Sequence, residues 1–322
     1  MTPSIPSVVP PSATVAYLGP EGTFCEEALL TQPDLAAAKT MPCASIPDTI
    51  AAVESGAVDL AFVPIENAIE GSVNVTLDSL SFDTDLLIQR EVVIAVRLNL
   101  FARPGVSLSD ITTVRSIPIA TAQCRLFLQA KLPGVPTRPT NSTAEAAQLL
   151  AEETDEAVWR HTAAVSPARA GQVWGLDALA TDIEDHPENE TRFVLVARSG
   201  IPRATGHDKT SLVVFQRADA PGSLLAILQE FAARSINLTK LESRPTKRGL
   251  GDYCFLIDLE GHVSDELVTD CLRALKIKQA DVKFLGSYPA AGEHGADVRR
   301  EAAEQWRSAD EWISSLRAAV DE

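Results

Sequence analysis

Between Glu190 and Ala197 the chain reads ETRFVLVA, a polar triplet that opens an otherwise apolar run. At period two, Phe193, Leu195 and Ala197 fall on one face and Val194 and Val196 on the other. A strand buried on both faces has this pattern, and such strands belong to α/β sheets. A hydroxyl and a guanidinium, Thr191 and Arg192, stand at its mouth, directly after the acidic stretch DIEDHPENE. Catalytic groups are often mounted at strand ends, where the sheet fixes the backbone and the side chain reaches open space. The plainer reading is that Thr191 begins the strand and Arg192 pairs with a nearby carboxylate.

Working outward, the chain alternates strands and helices. TVAYL (Thr14 to Leu18) reads as a buried strand, GPEGT as a turn and FCEEALLTQ as a helix. PDTIAAVESG reads as a helix closed by Gly56, VDLAFVPIE as a buried strand, VTLDSL as a helical piece, and LLIQREVVIAVRLNLFA as one long or two consecutive strands. Then TTVRS precedes the helix TAQCRLFLQAKL, and TRPT precedes the helix STAEAAQLLAEE. AAVSPARAGQVWG reads as a further helix and LDALATDI as a short strand. This alternation predicts an α/β architecture with a largely parallel sheet. A chain can also leave one sheet, build a second and return. The reading here is a first lobe of about 14–93 plus 190–203 and a second of about 94–189, with TRFVLVA as the returning strand.

A Gly- and Pro-containing linker follows, centred on 204–209. Beyond it the order is strand SLVVFQR, helix GSLLAILQEFAARS, strands INLTKLESRPT and DYCFLIDLEG, helix DELVTDCLRALKI and strand DVKFLGSY. βαββαβ is the order of a ferredoxin-like domain, here 210–289. In the tail, 290–322, Ala302, Trp306, Ala309, Ile313, Leu316 and Val320 step by three and four, the stripe of a helix that docks on something. Residues 1–13, broken by prolines, read as a disordered tail and not a signal peptide.

Composition bounds the function. With 28 Lys+Arg against 44 Asp+Glu in 322 residues, the net charge of -16 argues against a nucleic-acid or anionic-membrane surface. Five scattered cysteines without C-x-x-C suggest reduced thiols in a cytoplasmic protein. No apolar run approaches the ~20 residues that a spanning helix needs. The five histidines show no metal-ligand spacing, so no metal site is expected.

Three stretches carry candidate chemistry. YLGPEGTF sets Gly22 and Thr23 between a strand and a helix start, where backbone N–H groups suit an anion; a tight βα turn explains it equally. In VPIENAIEGSV, Glu66 and Asn67 lie just beyond a buried strand, where ligands of open α/β sheets bind, although capping accounts for either. RSIPIATAQC puts Ser116 at a strand end and Gln123 on the next helix. In NSTAEAAQ, Ser142 or Thr143 is the N-cap of a helix.

Taken in order, YLGPEGTF, VPIENAIEGSV, SIPIATAQC, STAEAA and TRF resemble the prephenate dehydratases, and GSLLAIL with LESRP resembles the phenylalanine-recognition motifs of their ACT regulatory domain. The resemblance implies a two-lobed catalytic domain folded like type II periplasmic binding proteins, with no cofactor and with prephenate in the cleft. It makes Thr191 the residue most tied to turnover, lined by Glu66, Asn67, Ser116 and Gln123. The substrate-binding set is Gly22, Thr23, Ser142, Thr143, Arg192 and Phe193. It further implies phenylalanine as allosteric effector at Gly222, Ser223, Leu224, Asn237, Leu238, Glu242, Ser243 and Arg244, and a homodimer or homotetramer. With no helical mutase segment ahead of the catalytic region, the enzyme reads as monofunctional. The family usually shows Ser-His-Pro where this chain has Ser116-Ile117-Pro118, so any role of that histidine is absent here. An arogenate dehydratase would show the same pattern, and a non-catalytic two-lobed binder would share the architecture.

Overall fold

The computed structural model describes residues 9–10, 12–216, 220–247, 252–279, 281–291 and 311–318. The chain divides into two compact units, Met1–Ser79 with Val92–Leu195 and Leu80–Glu91 with Val196–Glu322.

The first unit opens with β1 (Thr14–Leu18), α1 (Phe24–Leu30), α2 (Pro33–Ala36), β2 (Lys39–Cys43), α3 (Ile46–Glu54), β3 (Leu60–Asn67), β4 (Gly71–Ser72) and α4 (Asn74–Asp78). A π-helical turn, Ser79–Asp83, leads into β5 (Leu87–Ala95). Next come β6 (Asn99–Ala102), β7 (Thr113–Ser116), α5 (Pro118–Gln123), α6 (Arg125–Lys131), β8 (Thr137–Pro139), α7 (Thr143–Glu152), α8 (Glu156–Trp159), β9 (Thr162–Ser166), α9 (Ala168–Trp174), β10 (Asp177–Ala180) and the returning β11 (Glu190–Ala197).

These strands make two sheets. One has the order β2-β1-β3-β11-β5 with β4 paired to β3, and the other is β10-β6-β9-β7-β8. The chain does leave one sheet at β5, build the second and return at β11, seated between β3 and β5. Phe193 to Ala197 are all buried, and Phe193 stacks on Phe62 of β3 with ring centroids 5.5 Å apart and planes 11° from parallel. That two-sided burial is why the run is continuous rather than alternating.

Several elements differ from the sequence expectation. AAVSPARAGQVWG is not one helix: Thr162–Ser166 is β9, fully buried, and the helix begins only at Ala168. Short, alanine-rich β9 is held as a strand by pairing with β6 on one side and β7 on the other, which overrides the helix preference of alanine. TAQCRLFLQAKL is broken at Cys124 (φ -112°, ψ 18°), whose buried side chain packs in the core of the second sheet. VTLDSL is helical only to Asp78 before the π turn. Edge strand β2, Lys-Thr-Met-Pro-Cys and mostly exposed, offers no apolar run to read.

In the second unit, β12 (Asp208–Phe215), α10 (Ser223–Ala232), β13 (Leu238–Pro245), β14 (Tyr253–Glu260), α11 (Glu266–Lys278) and β15 (Asp281–Pro289) give the expected βαββαβ order. Its sheet runs β13-β14-β12-β15, antiparallel throughout. Leu212, Val214, Ile227, Phe231, Ile257 and Leu275 lie in the core between sheet and helices. The segment Leu80–Glu91 is built into this unit. Lys283 Nζ donates to the carbonyls of Ser81 and Thr84, at 3.3 and 2.6 Å. Glu91, with no exposed side-chain surface, pairs with Lys209 at 2.8 Å and accepts the Ala291 N–H at 2.7 Å. Gly286 (φ 147°) lies so close to Ile88 that a Cβ there would meet the Ile88 carbonyl oxygen at 2.5 Å.

The tail is helical at 311–318, with Trp312 and Leu316 exposed and Ile313 half-buried. The other stripe positions, Ala302, Trp306, Ala309 and Val320, lie outside the described residues, as does most of the N-terminal tail. Among the described residues no helix is long and apolar enough to cross a membrane.

Candidate active site

Side chains from β3, from the approach to β11 and from helix α5, which follows β7 of the second sheet, meet at the mouth of β11. Asn67, last residue of β3, is the hub. Its Oδ1 accepts the backbone N–H groups of Ile69 and Glu70, at 3.0 and 2.9 Å, a turn closed by an asparagine side chain. A backbone N–H can only donate, so this fixes which end of the amide is oxygen. The other end, Nδ2, therefore donates: to Thr191 Oγ1 at 2.9 Å, to Asn189 Oδ1 at 2.9 Å and to the Glu190 carbonyl at 3.2 Å. Asn189 in turn donates through Nδ2 to Gln123 Oε1 at 3.3 Å, and Gln123 Nε2 donates to Glu70 Oε1 at 3.2 Å.

Every amide in this chain has a defined direction, because it starts at backbone donors and ends at a carboxylate that accepts. The consequence falls on Thr191. Its oxygen accepts from Asn67, so its own proton is left to be donated outward from a half-buried position. Beside it, Arg192 pairs with Glu66 at 3.2 Å, so the carboxylate partner expected for that arginine is Glu66 itself.

The other sequence candidates have local partners. Ser116, buried at the end of β7, donates to the Val165 carbonyl at 2.7 Å and ties β7 to β9. Ser142 is the N-cap of α7, accepting the Glu145 N–H at 3.0 Å, and the Thr143 carbonyl accepts Ser166 Oγ at 2.6 Å. Phe193 lies in the core against Phe62. Thr23 caps α1 and donates to the Leu18 carbonyl at 3.0 Å. The Gly22 N–H faces an anion, but the protein's own: Glu26 Oε2 at 2.5 Å, with Glu26 Oε1 held by Arg169 at 2.9 Å. Gly22 has φ 87° and approaches Ala170 so closely that a Cβ would sit 2.9 Å from its Cα. Neighbouring Glu27 has its pKa raised, chiefly by burial, against the opposing pull of the Arg169 N–H and charge. Cys25 and Cys124 are pushed up to about 12 by burial and stay thiols.

Asn189 and Glu70 were not among the sequence candidates. The one available signal was their spacing, two residues before Thr191 and three after Asn67.

A family model described as prephenate dehydratase matches residues 15–200, and an ACT domain model matches 210–276. The chain belongs to the prephenate dehydratase family. A prephenate dehydratase of Mycolicibacterium vanbaalenii is 45% identical over 317 residues, covering 94% of this chain and 98% of the relative. A crystal structure of prephenate dehydratase from Arthrobacter aurescens in complex with L-Phe superposes with TM-score 0.86 at 40% identity, over 95% of this chain and 99% of that one. A structure described as GqqA, a novel type of quorum quenching acylase, shares TM-score 0.75 and 28% identity over 86% of this chain and 98% of its own. One architecture thus carries differently named activities, and the residues of the site must decide between them.

The ACT domain positions the expected effector residues at two places. Gly222 (φ 86°) is the N-cap of α10, Ser223 Oγ donates to Gln216 at 3.0 Å, and Leu224 packs on the domain core. On edge strand β13, Leu238 faces the core, and Glu242 lies 3.3 Å from Arg244 and 3.6 Å from Lys240. The Asn237 carbonyl accepts the Glu260 N–H at 3.0 Å, and Ser243 is exposed opposite Phe255 of β14.

Proposed function

We propose that this chain converts prephenate to phenylpyruvate, carbon dioxide and water, a carbon–oxygen lyase reaction, with Thr191 as hydrogen-bond donor to the departing hydroxyl. The electron pair of the bond to the ring carboxylate moves into the ring as carbon dioxide leaves. The ring becomes aromatic, and the ring C–O bond breaks with its pair on oxygen, which takes its proton from solvent. Aromatisation drives the step, and the poor leaving group is its obstacle. A donor aimed beforehand at developing negative charge lowers that barrier without a cofactor. The observation that carries the reading is the Asn67 hydrogen bond, which leaves the Thr191 proton free to point at the substrate. Gln123 and the Arg192–Glu66 pair supply polar contacts for a dianionic substrate.

The test is to incubate the purified chain with prephenate and with arogenate and follow phenylpyruvate and phenylalanine. Phenylpyruvate from prephenate, formed far more slowly by Thr191→Ala, is the expected result. Phenylalanine from arogenate alone would make the chain an arogenate dehydratase, and no product from either would leave a binding protein.

For the second unit we infer feedback inhibition by phenylalanine bound at the ACT domain of a homodimer or homotetramer. The ACT match and the L-Phe complex of the Arthrobacter relative support it. Inhibition requires that phenylalanine bind one state of the assembly more tightly than another. Calorimetry of the full chain with L-phenylalanine, beside sedimentation of the same sample, tests both parts; no heat and no slowing of turnover would refute the sensor. Five free cysteines, four of them buried, suit a reducing compartment, and we place the enzyme in the cytoplasm.

A further inference from the structure

The geometry points to Asn189 as a positioning residue for the dehydration, acting through Asn67 and Gln123 on the Thr191 hydroxyl; this rests on the role given to Thr191 above. Asn189 is 1% exposed, yet all four of its polar groups have partners. Its backbone N–H donates to the His186 carbonyl at 3.1 Å and its carbonyl accepts the Val96 N–H at 2.7 Å, which fixes the residue in space. Its side chain then joins two amides from different elements, Asn67 at the end of β3 and Gln123 at the end of α5. It accepts from Asn67 at 2.9 Å and donates to Gln123 at 3.3 Å.

A buried amide bonded on both sides has one orientation, because turning it over would set donor against donor and acceptor against acceptor. Asn189 thereby supports the outward direction of Asn67 Nδ2 and turns Gln123 Nε2 toward Glu70. Without it, Gln123 could rotate, and Asn67 would lose one of the contacts that hold its NH₂ group over Thr191. Misplacement of reacting groups by about 1 Å costs on the order of 10²-fold in rate.

Asn189→Asp separates positioning from bulk. An ionised aspartate keeps the acceptor for Asn67 but turns a second acceptor against Gln123 Oε1; a protonated one restores the donor. The charged groups around it are mostly acidic. Glu70 is reached through Gln123, and Asp185 and Glu190 flank it in sequence. Three further carboxylates are already paired, Glu184 with Arg97, Glu188 with His186 and Glu66 with Arg192. Burial and these like charges raise the aspartate pKa, so rescue extends above the ordinary range near 4.

The expected result is a kcat about 10- to 100-fold below the parent near pH 8, KM changed much less, and a kcat ratio of variant to parent that climbs as pH falls. Asn189→Ala should show a loss with no such climb. As a second readout, Asn189→Ala introduced into Thr191→Ala should cost nothing further, since residues acting as one unit are not additive. A flat ratio across pH for Asn189→Asp, together with an additive double variant, would overturn the positioning role. Full activity of Thr191→Ala would instead sink the reading on which it rests. If Asn189→Asp does not fold, the Asn189→Ala cycle decides alone.

Discussion

The mouth of β11 and the starts of the helices use the same chemical groups to opposite ends. At the helix starts, the Thr23 and Ser142 hydroxyl oxygens accept the N–H three residues on, so each cap bond stays within its own turn. At the mouth of β11, Asn67 reaches Asn189 and Thr191 across 122 and 124 residues of sequence. A cap serves a backbone donor of its own helix. The long-range cluster instead joins side chains that the sequence keeps far apart, and the reading proposed above gives the Thr191 proton to the substrate. Reach across the sequence is what distinguishes the two.

Substitutions can break or sharpen this contrast. Thr191→Ala should lower kcat most, by about 10²–10³-fold, the usual worth of one hydrogen-bond donor aimed at developing charge, with an unchanged melting temperature; Thr191→Ser should retain more. Steady-state kinetics with thermal melts decides it. Next comes Asn67→Asp, which keeps the acceptor for Ile69 and Glu70 but removes the donor to Thr191. The hydroxyl can then turn back on the new carboxylate, so a kcat loss of about 10²-fold is expected, the size seen for removal of one oriented donor.

Ser116→Ala probes a residue that the resemblance places in the site and the geometry gives to the sheet. It should cost about 1 kcal/mol of stability, one buried hydrogen bond, in denaturant titration, while kcat stays near the parent value. A collapse of kcat with unchanged stability would return Ser116 to the chemistry. Ser142→Ala should lose about 1 kcal/mol, the worth of an N-cap, and no activity.

The smallest effect is pH-dependent. Because burial raises the Glu27 pKa, the folded chain holds this proton where the unfolded chain has released it. Stability is therefore full below the unfolded value of 4.5 and falls as pH rises through the folded one. Glu27→Gln should melt higher than the parent at neutral pH and match it below pH 4.5; equal melting at both would refute the raised pKa.

Legibility in the sequence followed the same division. β1 was readable to the residue, since five residues stand clear before a Gly-Pro turn, and the βαββαβ order followed from apolar runs punctuated by glycine. β9 was not, because alanine carries no strand signal and the strand exists through its two neighbours. Thr191, Asn67 and Gln123 were named from the family pattern. Asn189 looked like one more polar residue of an acidic turn, and only pairing across 122 positions sets it apart.

Glu91 and Gly286 have a bearing on how this protein can be cut. The first half of β5 sits under β15 so tightly that no side chain fits at Gly286, and the Glu91 carboxylate depends on Lys209 for its counter-charge. A stop codon after residue 203 would bare Ile88 to water and take Lys209 from the Glu91 carboxylate, at a strand next to the one that bears Thr191. The regulatory half is thus no detachable accessory, and a shortened chain is expected to be a poorer catalyst rather than a deregulated one.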